Sequence, residues 1–257
     1  MSKSDPVNIN FYIPLARISF ISDLAFFLGA ILSVATIYIN KENHPALYSF
    51  TSIAFAISVA AVFIIGLLVK LYYFPRAEDE RIRDFLGHAY GLNLTYKPTD
   101  AYYNNNAKSA AKKIGAQLLE NSLFSKEISS KMLKGMAVRY SIYAIIWFYT
   151  ALSRDVDYGI VLIASQILFA EQVLSKFIRL AWLNLRFERT YDQTYRLFLN
   201  NVADEKFECA IIEYLIFYET SKTIASLQLS SRIFSKINLK LSSDWESIKK
   251  KLNIDHH

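Results

Sequence analysis

The sequence predicts an all-α membrane protein: four transmembrane helices as two hairpins, a cytoplasmic helical insert between them and a C-terminal helical domain. Three observations predict it. Four apolar segments approach the ~20 residues that a helix needs to cross ~30 Å of hydrocarbon. The first and second, and the third and fourth, are separated by short polar turns, whereas a long segment parts the two pairs. Lys and Arg avoid both short turns, which hold only Lys41 and Arg154 of the 29 in the chain of 257 residues.

Residues 1–17 form the N-terminal segment. The first span runs from Ile18 to Ile39, "ISFISDLAFFLGAILSVATIYI". Pro6 and Pro14 precede it, Asp23 interrupts it and no small-residue cleavage site follows, so it is not expected to be a cleavable signal. The hinge "NKENHP" leads to the second span, Ala46–Tyr73. Pro45 at its start and Pro75 just after it are prolines where helix boundaries are expected. Residues 18–74 are thus hairpin 1.

The insert, 75–135, reads as a helix "AEDERIRDFLGHAY", a turn-rich loop "GLNLTYKPTDAYYNNN", and helices around "AKSAAKKIGAQLLE" and "FSKEISSKMLK". The third span, Met136–Leu152, is the shortest. After "SRDVD" the fourth begins near Tyr158, leaves the membrane around Lys176–Arg179 and continues as a helix to about Leu199. Residues 136–176 form hairpin 2, and 177–257 a stalk and helical domain. That domain holds "DEKFECAIIEYLIFYETSK", "TIASLQLSSRIFSKI" and a short end helix capped by Ser243 or Asp244. The distribution of Lys and Arg places both termini and the insert on the cytoplasmic side.

Composition excludes several function classes. The one cysteine, Cys209, can form no internal disulfide and no cysteine-based zinc cluster, and suits a reducing compartment. Seven glycines yield neither GxGxxG nor a Walker loop. His44, His88, His256 and His257 lack partners at metal-ligand spacing. No cofactor, metal or catalytic centre is expected. A net charge of +6 reflects the membrane-flanking cations rather than a nucleic-acid footprint.

Candidate sites follow from residues that break the local pattern. Asp23, Lys70, Arg139 and Glu171 are ionisable groups in or at the edge of the spans, all at inner-leaflet depth. They are a polar ring at the mouth of a water-filled passage, or lysine and arginine snorkelling to headgroups while the acids pair with them or with Arg17 and Lys176. Phe177, Leu180, Asn184, Phe187, Tyr191, Tyr195 and Phe198 recur at steps of three or four and define one helical face. That face is the seam of a coiled-coil-like stalk or the inner side of a core helix. In the insert, Tyr102 and Tyr103 lie among Lys97, Lys112 and Lys113, where a base can stack against a basic rim, or the loop caps a helix bundle. Arg83 and His88 match the R-x4-6-H spacing of HEPN ribonucleases, a short pattern. Glu213 and Glu219, with Tyr214 and Tyr218, have the look of an acid–base pair on what reads as a solvated face.

The two hairpins, the insert of about sixty residues, the helical tail and the text "RIRDFLGHAYGLNLTYKP…AYYNNN…LLENSLFSKEI" resemble the small four-transmembrane pore-forming effectors of bacterial anti-phage loci, the SMODS-associating four-transmembrane and SLATT-type proteins. The resemblance implies a homo-oligomer in the bacterial inner membrane that permeabilises or depolarises it. It also implies activation by a cytoplasmic defence protein or a nucleotide second messenger.

Overall fold

The computed structural model describes residues 5–99, 103, 105–153, 158–168 and 171–256, and among them every regular element is helical. The α-helices are α1 (Ile13–Tyr38), α2 (Pro45–Leu68), α3 (Phe74–Tyr90), α4 (Ala110–Leu152), α5 (Tyr158–Leu168), α6 (Lys176–Leu199), α7 (Asp204–Ala225) and α8 (Ser231–Lys251). Among the described residues three stretches are long and apolar enough to cross a membrane: Asn8–Tyr38, Pro45–Tyr90 and Val161–Leu199. The expected third span, 136–152, is not among these three. It is the end of α4, where Arg139, Tyr140, Tyr143, Trp147 and Tyr149 dilute the aliphatic residues.

Several expected boundaries move. Pro45 opens α2 as expected, since proline's missing N–H is an orphan at a helix start anyway. Pro75 does not end the helix. A wide π-helical turn, Val69–Tyr73, lets Phe74 N–H reach back to Val69 O, and Pro75 falls in the first turn of α3. The two helices expected late in the insert and the third apolar segment are one helix of 43 residues, because no Pro interrupts 110–152. At the C-terminal end a single helix, α8, replaces the expected pair. Ser230 Oγ accepts from Ile233 N–H and caps it, leaving Ser243 and Asp244 within the helix. No break occurs near Ser175: the π-helical turn Glu171–Ser175 leads directly into α6.

The described residues form two compact units. One comprises residues 1–12, 75–134 and 179–257, the other residues 13–74 and 135–178. The first has the larger core, with Phe85, Leu118, Leu119, Phe187, Phe207, Ile211 and Trp245 each nearly inaccessible. Here α4 crosses the aromatic pair Phe198–Phe207, whose rings meet edge to face at 5.1 Å. Gly115 permits the crossing, because a Cβ there would stand 2.9 Å from Phe207.

In the second unit α1 and α2 form the hairpin, and Gly29 brings them together over Ser58. A Cβ at Gly29 would lie 2.5 Å from Ser58 Oγ. Such small-residue contacts are how helices approach closely where lipid removes the hydrophobic drive. Trp147 Nε1 donates to Ser165 Oγ at 2.7 Å, joining α4 to α5. Most large side chains of these helices remain exposed, including Phe20, Ile31, Phe50, Ile57, Phe63 and Ile145.

Candidate functional site

The first unit buries a cluster of charge that no local pattern announces. It gathers the chain just before α1, the first turns of α3, and α7. Tyr12 is the last residue before α1, and its OH donates to Glu78 Oε1 on α3 at 2.8 Å. The other Glu78 oxygen lies 2.7 Å from Lys222 Nζ, on α7. Lys222 also donates to Glu219 Oε2 at 2.8 Å, one turn back on the same helix. One lysine thus serves two carboxylates, and the three side chains keep only 12–19% of their surface.

Three further contacts extend the cluster. Arg81 Nη2 donates to both oxygens of Asp5, at 2.9 and 3.2 Å, and its guanidinium covers the Tyr12 ring. Gln228 Nε2 donates to the Tyr12 carbonyl at 3.0 Å. Below Lys222, the Tyr218 ring carries the ammonium 5.0 Å from its centroid, and the Tyr218 hydroxyl meets Ser125 Oγ at 2.8 Å.

The electrostatics follow from burial. Burial pulls Lys222 down, but the carboxylates of Glu219 and Glu78 together hold its ammonium well above the usual lysine range. Burial raises Glu219, Lys222 counters this in part, and Glu78 adds to the rise. Burial likewise pushes the Tyr218 phenol up. In a low-dielectric interior an ion triad of this kind is stable while complete and costly when broken, because a removed partner leaves a buried charge behind. The cluster can therefore hold Tyr12 and the start of α3 against α7.

Wide π-helical turns occur at three places where the chain passes between the units: Asn8–Tyr12, Val69–Tyr73 and Glu171–Ser175. Such turns shift the hydrogen-bond register by one residue and are frequent at functional sites. Two of them abut the cluster in sequence, through Tyr12 and Glu78.

The residues singled out in the sequence fall as follows. Asp23 accepts from Lys176 Nζ at 3.0 and 3.3 Å, the pairing expected of an acid at the edge of a span. Lys70, in the second wide turn, and Arg139 are exposed. Glu171 starts the third wide turn; its side chain lies outside the described residues. The structure therefore brings Asp23 to Lys176.

On α6, Leu180, Asn184, Phe187 and Phe198 are buried in the first unit, and Asn184 Oδ1 accepts from Ser129 Oγ at 2.7 Å. Tyr191 and Tyr195 only flank that face, and Phe177 is half-buried. Thr190 and Thr194 take the centre, fully buried. The seam is the inner side of a core helix.

Arg83 and His88 diverge. Five residues at ~100° each put them roughly 140° apart on α3. Arg83 is exposed and reaches Glu80 at 3.5 Å. His88 Nε2 faces Thr99, 2.9 Å from Oγ1 and 3.0 Å from the carbonyl. Thr99 in turn donates its N–H and OH to buried Asp84, so His88 helps latch the loop after α3. Tyr103 packs edge-on against Phe85 and His88, which makes it part of the same latch. Lys112 is buried over the Phe207 ring with Asp204 at 3.5 Å, Lys113 is half-buried and Lys97 is exposed. Tyr102 lies outside the described residues. Glu213 is exposed as expected, but Glu219 is not, since Lys222 draws it inward.

Among the described residues no three His, Cys, Asp or Glu side chains group as metal ligands. The space among α1, α2 and α5 is an apolar cavity of about 200 Å³, bordered by Phe26, Gly29, Phe55, Ser58 and Gln166. No family model, no curated protein and no solved structure matches the chain.

Proposed function

We propose that this chain is a four-span, homo-oligomeric membrane effector that permeabilises or depolarises the membrane, with its helical soluble unit as the receiver of the trigger. The observation that carries the reading is the tie between Tyr12, Glu78 and Lys222. Residues at the roots of two apolar helices share one buried ion cluster with α7, so a partner or ligand that disturbs α7 acts directly on the membrane segments.

Four crossings are supported by connectivity. Residues 1–12, 75–134 and 179–257 belong to one compact unit, so each excursion between them crosses the bilayer an even number of times. Val161–Leu199 accounts for one crossing of the second excursion, and the end of α4 from Met136 supplies the other. Its exposed Val138, Ile142, Ile145, Ile146 and Leu152 suit a lipid contact, and its 17 residues span ~25 Å at ~1.5 Å each. With the distribution of Lys and Arg, the shared unit is cytoplasmic. A conducting path would run between copies, since the cavity within one copy is apolar. A bacterial anti-phage setting, with the inner membrane as target, rests on the resemblance in architecture.

That same apolar cavity favours the second reading, a non-channel membrane anchor that docks a soluble defence partner. Potassium efflux separates the two. Wild-type protein and Glu78→Gln, which weakens the cluster, are reconstituted into potassium-loaded liposomes. Efflux above protein-free liposomes from either is the expected result. None from both overturns the permeabilising reading and leaves the anchor.

A further inference from the structure

The outer faces of α7 and α8 carry opposite charge. On α7, Glu205, Glu208, Cys209, Ile212, Glu213 and Ile216 are all exposed and fall within about two-fifths of the helix circumference at ~100° per residue. Ile212 and Ile216 are 45% and 58% exposed, so this face is acidic with an apolar centre. Lys206 at its edge is the one exposed cation of the helix.

On α8 the exposed side bears Arg232, Lys236, Lys240, Lys250 and Lys251, with Asp244 as the exposed carboxylate. Leu239, 88% exposed, sits in the middle of the cations. Among the described residues, Glu205, Glu208, Glu213, Arg232, Lys236 and Lys240 enter no ion pair, so these charges are not spent on neighbours within the copy. The acidic face from Glu205 to Ile216 covers about 17 Å at ~1.5 Å per residue and the cations Arg232 to Lys240 about 12 Å, so that run of opposite charge fits within the acidic face.

We propose that the acidic–apolar face of α7 docks on the basic face of α8 of a second copy. Ile212 and Ile216 meet Leu239 and the lysine stems, and Glu208 and Glu213 meet Lys236 and Lys240. The contact is heterologous: each copy offers a different surface to each neighbour, so repetition closes a ring where the rotation permits. Complementary potentials set its register, and like-charge juxtaposition disfavours the α7–α7 and α8–α8 alternatives. This inference rests on the oligomeric reading above and names its surfaces.

Charge reversal in the full-length protein tests it, with particle mass in nanodiscs or mild detergent as readout. Glu208→Lys with Glu213→Lys makes both faces basic; Lys236→Glu with Lys240→Glu makes both acidic. Each pair is expected to weaken assembly at least tenfold in the concentration needed. All four changes in one chain restore it, as does mixing the two reversed proteins. All four positions are exposed, and unchanged Trp245 fluorescence confirms folding. If wild type assembles and the reversals leave the mass unchanged, the inference fails while the oligomeric reading stands. Disruption without restoration in the four-fold variant also overturns it. So does loss of binding to anionic vesicles in the Lys236 and Lys240 variant with assembly intact, which assigns the basic face to lipid. A wild type that is monomeric at every concentration removes the oligomeric reading itself.

Discussion

Lys222→Met is expected to destabilise the first compact unit by about 3–5 kcal/mol, the range for breaking a buried ion pair from one side. The methionine fills similar volume, so the loss is electrostatic. Glu78 and Glu219 are left facing each other with little solvent, while Tyr12 keeps its bond to Glu78.

The pH dependence carries the signature. In the wild type, the raised lysine contributes stability that is fully present below its unfolded pKa of roughly 10.4 and is lost only as pH rises through the higher folded value. Glu219, raised in the fold, works the other way from an ordinary paired acid. Its proton-linked stability is present below an unfolded value of roughly 4.3 and is lost as pH rises through the folded one, so at neutral pH its charge is tolerated because Lys222 is there. Without the lysine, burial favours the protonated form of Glu219 further. The stability deficit of Lys222→Met should therefore be largest near pH 8 and shrink toward pH 5. Adding Glu78→Gln and Glu219→Gln should recover most of the loss at pH 8. Thermal unfolding of the detergent-solubilised protein across this range is the measurement. A deficit independent of pH, or undiminished in the triple variant, would mean that Lys222 acts by packing alone.

Phe187→Ala is expected to cost about 3–5 kcal/mol, the range for emptying an aromatic core site. Phe187 is 1% exposed, and its ring lies 5.2 Å from that of Tyr218. The damage thus reaches the hydroxyl of Tyr218 and, beyond it, the lysine. Leu185, two residues away on the same helix, is 63% exposed and should cost no more than about 0.5 kcal/mol when changed to Ala. Denaturant unfolding followed through Trp245, which is 2% exposed, compares the two variants. A larger cost at Leu185 than at Phe187 would show that α6 buries its other face, as a stalk packed on neighbours would.

The contrast between those two residues shows what the sequence carried. A face repeating at three and four residues is visible in the text, and Leu180, Asn184, Phe187 and Phe198 occupy it. Its lower half was misread because aromatic residues stand out more than threonines. Thr190 turns its hydroxyl to the Arg186 carbonyl, 3.0 Å away, and so behaves as a small core residue, leaving Tyr191 at the flank. The continuity of α2 through to α3 was hidden for a different reason. A π-helical turn is a change of hydrogen-bond partner and leaves no mark in composition, so Pro75 read as an end.

The charge cluster was illegible on grounds of distance. Tyr12 and Glu78 are 66 residues apart, and Lys222 joins them from the far end of the chain. Only the Glu219–Lys222 spacing of three gave a local hint, and such pairs usually decorate a solvated face. The apolar lengths and the placement of Lys and Arg, by contrast, are collective properties, and they conveyed the helical membrane architecture without any single residue being decisive.

The central claim is that the insert and the C-terminal segment share one side of the membrane, with an even number of crossings between them. Cys209 offers a direct test, being the chain's one cysteine and exposed on α7. A membrane-impermeant maleimide is applied to sealed right-side-out and inverted vesicles holding the wild type, and then Cys209→Ser carrying either Lys131→Cys or Glu42→Cys. Positions 131 and 42 are both exposed, on α4 and in the turn between α1 and α2. The account predicts that Cys209 and the thiol at position 131 label only in inverted vesicles, and the thiol at position 42 only in right-side-out ones. Labelling of positions 131 and 209 from opposite faces would contradict it.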